Sequence, residues 1–420
     1  MPRRRRSLDR WSGRGHCLET DETQHQTHQR DDAQRTQCQS NAPPCQTEGL
    51  SYSGVTLPMV HVDGEPFEQG RQHGVALGEQ IAQNLEVYFE RFWREGHLRP
   101  GEARARAERY LPLLDGHPYA DAMRGVAEGA EQELIDVVVL NMRYELLYYQ
   151  YSILPVGEPD GCTSFGVLPD AAANGHLLIG ENWDWIPEVL GAVLHTREPD
   201  GLETLTFTEA GIVGGKIGLN SAGLGLAING LLSTADDWSR LVMPFHVRCY
   251  EILRQRTLSA ARDVVLSGSR ACSANFVLAQ RPDQLVDIEA APDSVCAIGP
   301  RHGAVVHTNH FLDAVALGVS EPRSERRPHS STRLARMREL LDARSPVAVG
   351  DLESCLRDHD NYPDSICRHT NTDDPPEEWC VTVTSAIIDL DDLTLRLTDG
   401  QPCEHVYDGY SIPHTALLGR

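Results

Sequence analysis

The sequence predicts an α+β protein in which helices pack on antiparallel sheets. Apolar residues recur every three or four positions in the region that begins at Pro66, which is typical of amphipathic helices. After Gly161 the chain changes to short extended runs separated by Gly, Asn and Asp, a pattern typical of antiparallel meanders. Helical and extended stretches then follow one another, and this order favours helices on antiparallel sheets.

The predicted helical region runs from Pro66 to about Tyr149. Its first apolar stripe consists of Leu77, Ile81, Leu85, Tyr88 and Phe92, its second of Met123, Val126, Ala127 and Ala130, and its third lies in 137–149. A segment containing Pro155, Gly157 and Pro159 should end it. Further helices are expected at 245–255, 260–267, 331–342 and 349–357.

Eight short runs are expected to be strands, because each is apolar or β-branched and bounded by turn residues. They are 176–180, 192–196, 204–208, 224–228, 275–279, 304–308, 381–388 and 394–397.

Charge and composition exclude several classes of protein. The 420 residues contain 38 Lys+Arg and 61 Asp+Glu, a net charge of −23, which argues against binding to a phosphate backbone. No apolar run approaches the ~20 residues of a membrane-spanning helix. Lys216 is the only lysine, and with so many carboxylates this is typical of a salt-adapted protein or of a chain encoded by GC-rich DNA. We therefore expect an acidic, halophilic, cytoplasmic protein with no nucleic-acid or membrane partner.

The cysteine and histidine spacings give no metal pattern. The 11 cysteines include no CxxC pair, so most are expected to be buried thiols in a reducing compartment. His307 and His310 form an isolated HxxH pair without a third ligand nearby, and ordinary packing is the simpler interpretation. The sequence predicts no metal and no cofactor.

Residues 1–58 do not have the pattern of a folded segment. They contain the run Arg3 to Arg6 and a polar mixture with almost no aliphatic periodicity, too little apolar surface to offset the entropy of ordering. Two interpretations remain open: a disordered extension, or sequence upstream of a true start at Met59.

The dipeptide Gly161–Cys162 can be interpreted in two ways. Cleavage of this bond would leave Cys162 with its thiol and a free α-amino group, whose pKa of roughly 7.7–8.0 suits a base for that thiol. Gly161 lacks a Cβ, which would ease attack of the Cys162 thiol on the Gly161 carbonyl. The simpler interpretation is a buried cysteine after a loop glycine.

Eight segments in order make the sequence resemble the acyl-coenzyme A:6-aminopenicillanic acid acyltransferase (isopenicillin N acyltransferase) family of N-terminal-nucleophile hydrolases. They are 64–70 with 73–74, 123–130, 160–163, 182–184, 208–212, 218–223, 307–310, and 360–363 with 365–368. Residues 1–58 have no counterpart. In place of the family's Gly-Lys-Ser-Arg-Gly string this chain has Asp374–Trp379, so the resemblance leaves open whether the acyl-CoA and penicillin specificity applies.

The resemblance implies roles for particular residues. Cys162 corresponds to the nucleophile, Gly161 to the residue before the cleaved bond, Asp184 to a carboxylate near the new α-amino group, and Asn309 to an oxyanion-hole amide. Asn229 is a second candidate donor, with a turn-forming role equally open. Arg368 and Lys216 are candidate substrate-binding residues, although a structural salt bridge for Arg368 and chance for Lys216 are as plausible.

The fold implied by the resemblance is a four-layer αββα sandwich with two stacked antiparallel sheets, formed by residues 59–420 as one domain. The implied protein cleaves itself between residues 161 and 162, and the two fragments stay associated. It would act on a small-molecule acyl amide or acyl donor through an acyl-enzyme, as an amidohydrolase or acyltransferase. Two alternatives remain: a cysteine hydrolase with His307 or His73 as base and no self-cleavage, or a non-catalytic binding module on the same fold.

Overall fold

A computed structural model of the chain describes residues 57–153, 161–322 and 328–413. The predictions for residues 1–56 and for the segment with Pro155, Gly157 and Pro159 lie outside the described residues. No helix within these three ranges is both long and apolar enough to cross a membrane.

The predicted helical region forms five helices. They are α1 (Pro66–Gly96), α2 (Pro100–Glu108), α3 (Pro118–Gly129), α4 (Leu134–Asn141) and α5 (Arg143–Ile153). All five members of the first apolar stripe are buried on α1, which confirms that stripe. Helices α1 and α3 cross in backbone contact, since a Cβ atom on Gly70 would lie 2.0 Å from the carbonyl oxygen of Ala122. The third stripe is divided between α4 and α5 at Met142.

The larger sheet has eight strands in the order β1-β4-β5-β6-β7-β8-β9-β10. These are β1 (Met59–Asp63), β4 (Gly191–Arg197), β5 (Glu203–Glu209), β6 (Ile217–Asn220), β7 (Leu224–Gly230), β8 (Ala274–Gln280), β9 (Gln284–Ala290) and β10 (Val295–Ile298). Its neighbouring strands are antiparallel except for the parallel pair β1–β4.

The smaller sheet has six strands in the order β11-β2-β3-β12-β13-β14, all antiparallel. These are β2 (Thr163–Val167), β3 (Leu178–Trp185), β11 (Ala304–His307), β12 (Val381–Asp389), β13 (Thr394–Leu397) and β14 (Asp408–Ser411). Strand β2 was not predicted, and β3 extends to Trp185, beyond the predicted end at residue 180.

The two sheets stack face to face with helices outside them. Strands β2 and β3 contact β7, so the inner faces enclose the largest apolar core. Helices α6 (Phe245–Leu253) and α7 (Leu258–Leu266) pack on the larger sheet, and α9 (Pro328–Asp342) and α10 (Val349–Leu356) on the smaller one. The four-residue helix α8 (Ala314–Leu317) contacts β10. The predicted αββα arrangement is confirmed.

Candidate active site

Sheet register brings the predicted site residues together at the start of β2. Strand β2 lies between β11 and β3, with His307 opposite Ser164 and Asn182 opposite Thr163. If the same registers are continued beyond the ends of the strands, Asn309 is the residue opposite Cys162, and Asp184 is the residue opposite Gly161. Residues distant in sequence therefore meet around the Gly161–Cys162 peptide.

The Cys162 side chain is buried, with 4% of the residue exposed. Since side chains alternate along a strand, Cys162 and Ser164 both face the space between the sheets, whereas Phe165 and Val167 pack in the outer core beside α9 and α10. The Cys162 Sγ atom lies 3.7 Å from the carbonyl oxygen of Asp184.

Burial raises the pKa of the Cys162 thiol well above its ordinary value, and the nearby carboxylates of Glu181 and Asp184 raise it further. The thiol is therefore neutral near pH 7 in the intact chain. A nucleophile in this position needs a base close to its sulfur.

Both peptide groups next to the Gly161–Cys162 bond are held by side chains. The N–H of Gly161 donates to Asn309 Oδ1 at 3.2 Å, and the carbonyl oxygen of Cys162 accepts from Arg333 Nη1 at 2.7 Å. Arg333 Nη2 also donates to Asn309 Oδ1 at 3.1 Å, so the two side chains form one buried unit. Asn309 Nδ2 donates to the carbonyl oxygen of Gly230 at 3.1 Å.

Arg333 was missed by the sequence analysis. It lies on α9 with 1% of the residue exposed, and it also donates to Thr163 Oγ1 at 2.9 Å. A signal was present: Arg333 falls within the buried stripe of α9 that includes Leu334, Met337 and Leu341. A cation on the apolar face of a helix needs a buried partner.

Asp184 is the penultimate residue of β3 and is 1% exposed. Its Oδ1 atom accepts from the Thr382 hydroxyl at 2.7 Å. Thr382 Oγ1 in turn accepts from the backbone N–H of Arg368 at 2.9 Å. The Arg368 side chain is buried and pairs with Asp364 Oδ1 at 2.6 Å, so Arg368 takes part in a salt bridge and lies two hydrogen bonds from Asp184.

Asn229 belongs to a polar layer between the sheets. Its Oδ1 accepts from Ser164 Oγ at 2.5 Å and from Asn275 Nδ2 at 3.2 Å. Among the residues that the structure describes, no acceptor lies within hydrogen-bond distance of Asn229 Nδ2. A buried amide N–H without an acceptor can donate a hydrogen bond to an oxyanion.

Glu181 is a second residue that the sequence analysis missed. Its Oε2 atom accepts from the backbone N–H of Ile228 at 2.5 Å, and burial raises its pKa to about 8. The carboxyl group therefore keeps its proton near pH 7, in the same inter-sheet layer as Cys162.

Lys216 is 1% exposed and lies between the sheets. Its ammonium pairs with the Glu209 carboxylate and lies 3.4 Å from the ring centroid of Trp183. Burial lowers its pKa to about 8. Both of these partners, Glu209 and Trp183, are themselves buried in the protein core.

The two candidate histidine bases contact groups other than Cys162. His73 Nε2 accepts from the Gly211 N–H at 3.0 Å, and burial lowers the pKa of His73 to about 4. The two ring nitrogens of His307 lie 2.7 Å from the Thr308 carbonyl oxygen and 2.9 Å from Glu289 Oε1. Within the described part of the chain, no imidazole is hydrogen-bonded to the Cys162 sulfur.

The two histidines of the HxxH pair contact different groups. His310 Nδ1 contacts Ser330 Oγ at 2.8 Å, whereas His307 contacts Glu289. Elsewhere the fold gathers His359, Cys367, His369 and Cys403, whose ligand atoms all lie within 4.8 Å of one another. The spacing of these four residues in the sequence matches no familiar metal-binding motif, so the cluster was not predicted.

Comparisons with known proteins identify the family of the chain. The family profile described as acyl-coenzyme A:6-aminopenicillanic acid acyl-transferase matches residues 171–404, a range that contains Asp184 and Asn309 and begins after Cys162. The chain is 30% identical over 327 residues to the 40 kDa form of acyl-coenzyme A:6-aminopenicillanic-acid-acyltransferase from Emericella nidulans, covering 74% of this chain and 85% of that protein.

Two solved structures are also similar. A variant of conjugated bile acid hydrolase from Clostridium perfringens has a TM-score of 0.40 and 10% identity, covering 60% of this chain and 97% of that one. Penicillin V acylase from Agrobacterium tumefaciens has a TM-score of 0.39 and 13% identity, covering 60% of this chain and 86% of that one.

Proposed function

Because the chain belongs to the acyl-coenzyme A:6-aminopenicillanic acid acyltransferase family of N-terminal-nucleophile hydrolases, we propose that Cys162 is its nucleophile and is released as a new N-terminus by self-cleavage. The enzyme would then transfer the acyl group of a linear amide to water or to an amine. Cleavage would produce fragments 1–161 and 162–420, which remain associated.

The single observation that carries this proposal is the arrangement around the Gly161–Cys162 bond. The N–H on one side of this dipeptide and the carbonyl on the other are held by Asn309 and Arg333, from two different elements. Such fixation limits the conformations of the bond and favours one attack geometry. A buried structural cysteine requires no such fixation of its backbone.

Self-cleavage is an N-to-S acyl shift followed by hydrolysis. The Cys162 sulfur attacks the Gly161 carbonyl carbon, the C–N bond breaks, and the thiol proton passes to the departing nitrogen. Water then hydrolyses the thioester, which leaves the Gly161 carboxylate, the Cys162 thiol and a free α-amino group. No cofactor takes part in the proposed steps.

The released α-amino group would act as the base for substrate. Its ordinary pKa of roughly 7.7–8.0 places an appreciable neutral fraction near physiological pH, where the thiol is protonated. Asp184, against which Gly161 packs, would orient the ammonium form. Attack on the amide carbonyl gives a tetrahedral oxyanion, which collapses to an acyl-enzyme thioester as the amine leaves.

Two buried amides are candidate donors to the oxyanion. Asn229 Nδ2 has no hydrogen-bond partner among the described residues, and Asn309, whose Nδ2 donates to the Gly230 carbonyl, lies beside the nucleophile because its Oδ1 accepts from the Gly161 N–H. An oxyanion-hole donor typically accounts for about 10²–10³ in kcat. We therefore assign Asn229 and Asn309 as joint donors, and Arg333 as a positioning residue that acts through Asn309 and the Cys162 carbonyl.

The substrate is proposed at the level of the acyl amide. The Emericella nidulans relative is named for acyl transfer to 6-aminopenicillanic acid, and the stretch Asp374–Trp379 departs from the family string at that point. Arg368 is engaged by Asp364 and Lys216 by Glu209, so neither is assigned here to the substrate.

The test combines fragment masses with amine release. Purified protein in molar KCl should give two chains on a denaturing gel, with the larger beginning at Cys162, and the two should co-elute in size-exclusion chromatography. Cys162→Ala should remain one chain and lose activity, while Cys249→Ala, another buried thiol, should be cleaved and active. Penicillins, N-acyl amino acids and β-alanyl amides form the substrate panel.

The same experiment separates the alternatives. A Cys/His hydrolase would stay full length, remain active, and lose activity in His307→Ala or His73→Ala. A binding module would stay full length and be indifferent to Cys162→Ala. Full-length protein with amidase activity would overturn the self-processing mechanism.

A further inference from the structure

A second cluster of reactive side chains lies apart from Cys162, on the outer side of the smaller sheet. It comprises two imidazoles and two thiols, from His359, Cys367, His369 and Cys403. Cys367 and His369 are buried, whereas His359 and Cys403 are exposed, so the cluster has one side open to solvent.

Three distances measured from His369 Nε2 are close to those between the ligands of a zinc ion. His369 Nε2 lies 3.7 Å from Cys367 Sγ, 3.2 Å from Cys403 Sγ and 3.2 Å from His359 Nε2. Zinc bonds of about 2.3 Å to sulfur and about 2.0–2.1 Å to nitrogen, at tetrahedral angles, require about 3.3–3.8 Å between ligands.

Hydrogen bonding can satisfy only part of the contacts at His369 Nε2. A neutral imidazole nitrogen offers either one N–H or one lone pair, yet three polar atoms surround His369 Nε2. A single cation at the centre would satisfy all four groups at once.

The four side chains are supplied by well-anchored backbone. The Cys367 N–H donates to Asp358 O at 3.0 Å, and the His369 N–H donates to Pro363 O at 3.0 Å. Arg357 Nε donates to Pro402 O at 2.7 Å, which ties the segment before His359 to the turn that carries Cys403. The ligands are thus held in place by contacts independent of a metal.

We propose that His359, Cys367, His369 and Cys403 form a structural zinc site. Two thiolates and two imidazoles are a ligand set that Zn²⁺ takes in closed, four-coordinate sites. All four positions come from protein, which leaves none for a substrate or an activated water. The site is therefore structural, and it does not depend on the proposed function.

The position of the site suggests what it stabilises. Arg368 lies between two of the ligands, and its N–H donates to Thr382, whose hydroxyl donates to Asp184. A zinc ion would cross-link the segment 357–369 to the turn 401–405 after β13. It would thereby hold in place the hydrogen bonds that connect Arg368 through Thr382 to Asp184.

Zinc content of the full-length chain tests the proposal. The protein is purified without chelator, incubated with ZnSO₄ and desalted. Elemental mass spectrometry should then find about one zinc per chain. Cys403→Ser and His359→Ala, both at exposed positions, should fold and retain less than a tenth as much. His405→Ala, in the same turn as Cys403 but outside the cluster, should retain the full amount.

Cobalt identifies the coordination. Protein loaded with Co²⁺ should show the intense visible bands of tetrahedral cobalt and a thiolate charge-transfer band, both lost in Cys403→Ser. Retention of zinc by both variants would overturn the assignment, as would wild-type protein that takes up less than a tenth of an equivalent. Alkylation of the thiols with and without reductant shows whether Cys367 and Cys403 form a disulfide. A disulfide would also overturn the zinc assignment. Since these readouts do not use activity, they are separate from any failure of the Cys162 proposal.

Discussion

Gly161 lies directly against Asp184: a Cβ atom on Gly161 would stand 2.3 Å from Asp184 Cβ and 3.2 Å from Cys380 Sγ. Real Cβ atoms do not approach other atoms so closely, so any side chain at position 161 must displace its neighbours. The residue before the proposed cleavage point is thus restricted to glycine by packing against the carboxylate that would receive the new α-amino group.

Gly161→Ala should therefore slow self-cleavage. The added methyl group must shift either the Asp184 strand or the bond to be cut, and a displacement of about 1 Å at a reacting centre can cost 10²-fold in rate. The measurement is the time course of fragment formation after synthesis of the chain. Gly299→Ala, where the new Cβ would have nothing within 4 Å, is the matched control. Equal cleavage rates in both variants would contradict the packing argument.

Arg333→Lys should lower kcat more than it changes KM. Lysine is a point charge and cannot match the planar fork that reaches Cys162 O, Thr163 Oγ1 and Asn309 Oδ1. We expect a loss on the order of 10–10²-fold in kcat, or a comparable delay in self-cleavage, because Asn309 loses its support. Arg336→Lys, on the same helix but paired with Asp358 near the surface, should change neither. Wild-type kcat in Arg333→Lys would exclude the positioning role.

Local pattern predicted much of the fold. The 3.6-residue stripe of α1 and the run 394–397 of β13 needed no long-range information, because each signal lies within one element. Strand β2 was missed because its five residues follow the distinctive Gly161–Cys162 pair and are buried on both faces, so they show no alternation. Strand β1 was missed for a different reason, since it pairs in parallel with a strand about 130 residues away.

The site was predictable only in part. The family strings pointed to Cys162, Asp184 and Asn309, but Arg333 lies on a helix whose contact with β2 is set by tertiary packing. The contact of Lys216 with the Trp183 ring likewise depends on the stacking of the two sheets. Sequence spacing could not reveal the Cys/His cluster, because Cys403 is brought to the other three residues by the turn after β13 and not by the local sequence.

Asp184→Asn should move the rising limb of the kcat/KM pH profile to lower pH. In the proposed mechanism the rising limb reports deprotonation of the α-ammonium group of Cys162. The Asp184 carboxylate would stabilise this ammonium and raise its pKa, so removing that negative charge lowers the pKa. We expect a shift of about one pH unit together with a lower plateau. Asp389→Asn, on neighbouring β12 but facing His176, should leave the limb in place, and a shift to higher pH in Asp184→Asn would contradict the assignment.

Glu181→Gln should reduce the pH dependence of unfolding. Burial raises the Glu181 pKa from an ordinary 4.5 to about 8, so below pH 4.5 both states hold the proton, and between these values only the folded chain keeps it. The stability that Glu181 contributes is therefore complete below pH 4.5 and is lost as the pH rises to 8. Glutamine has no proton to release, so between pH 5 and pH 8 the variant should lose about 3 kcal/mol less than its parent. The comparison uses urea unfolding in a Cys162→Ala background, which keeps the chain in one piece, with exposed Glu79→Gln as control. Parallel curves for Glu181→Gln and its parent would mean that Glu181 is ionised in the folded protein, and the polar layer beside Cys162 would then carry a negative charge.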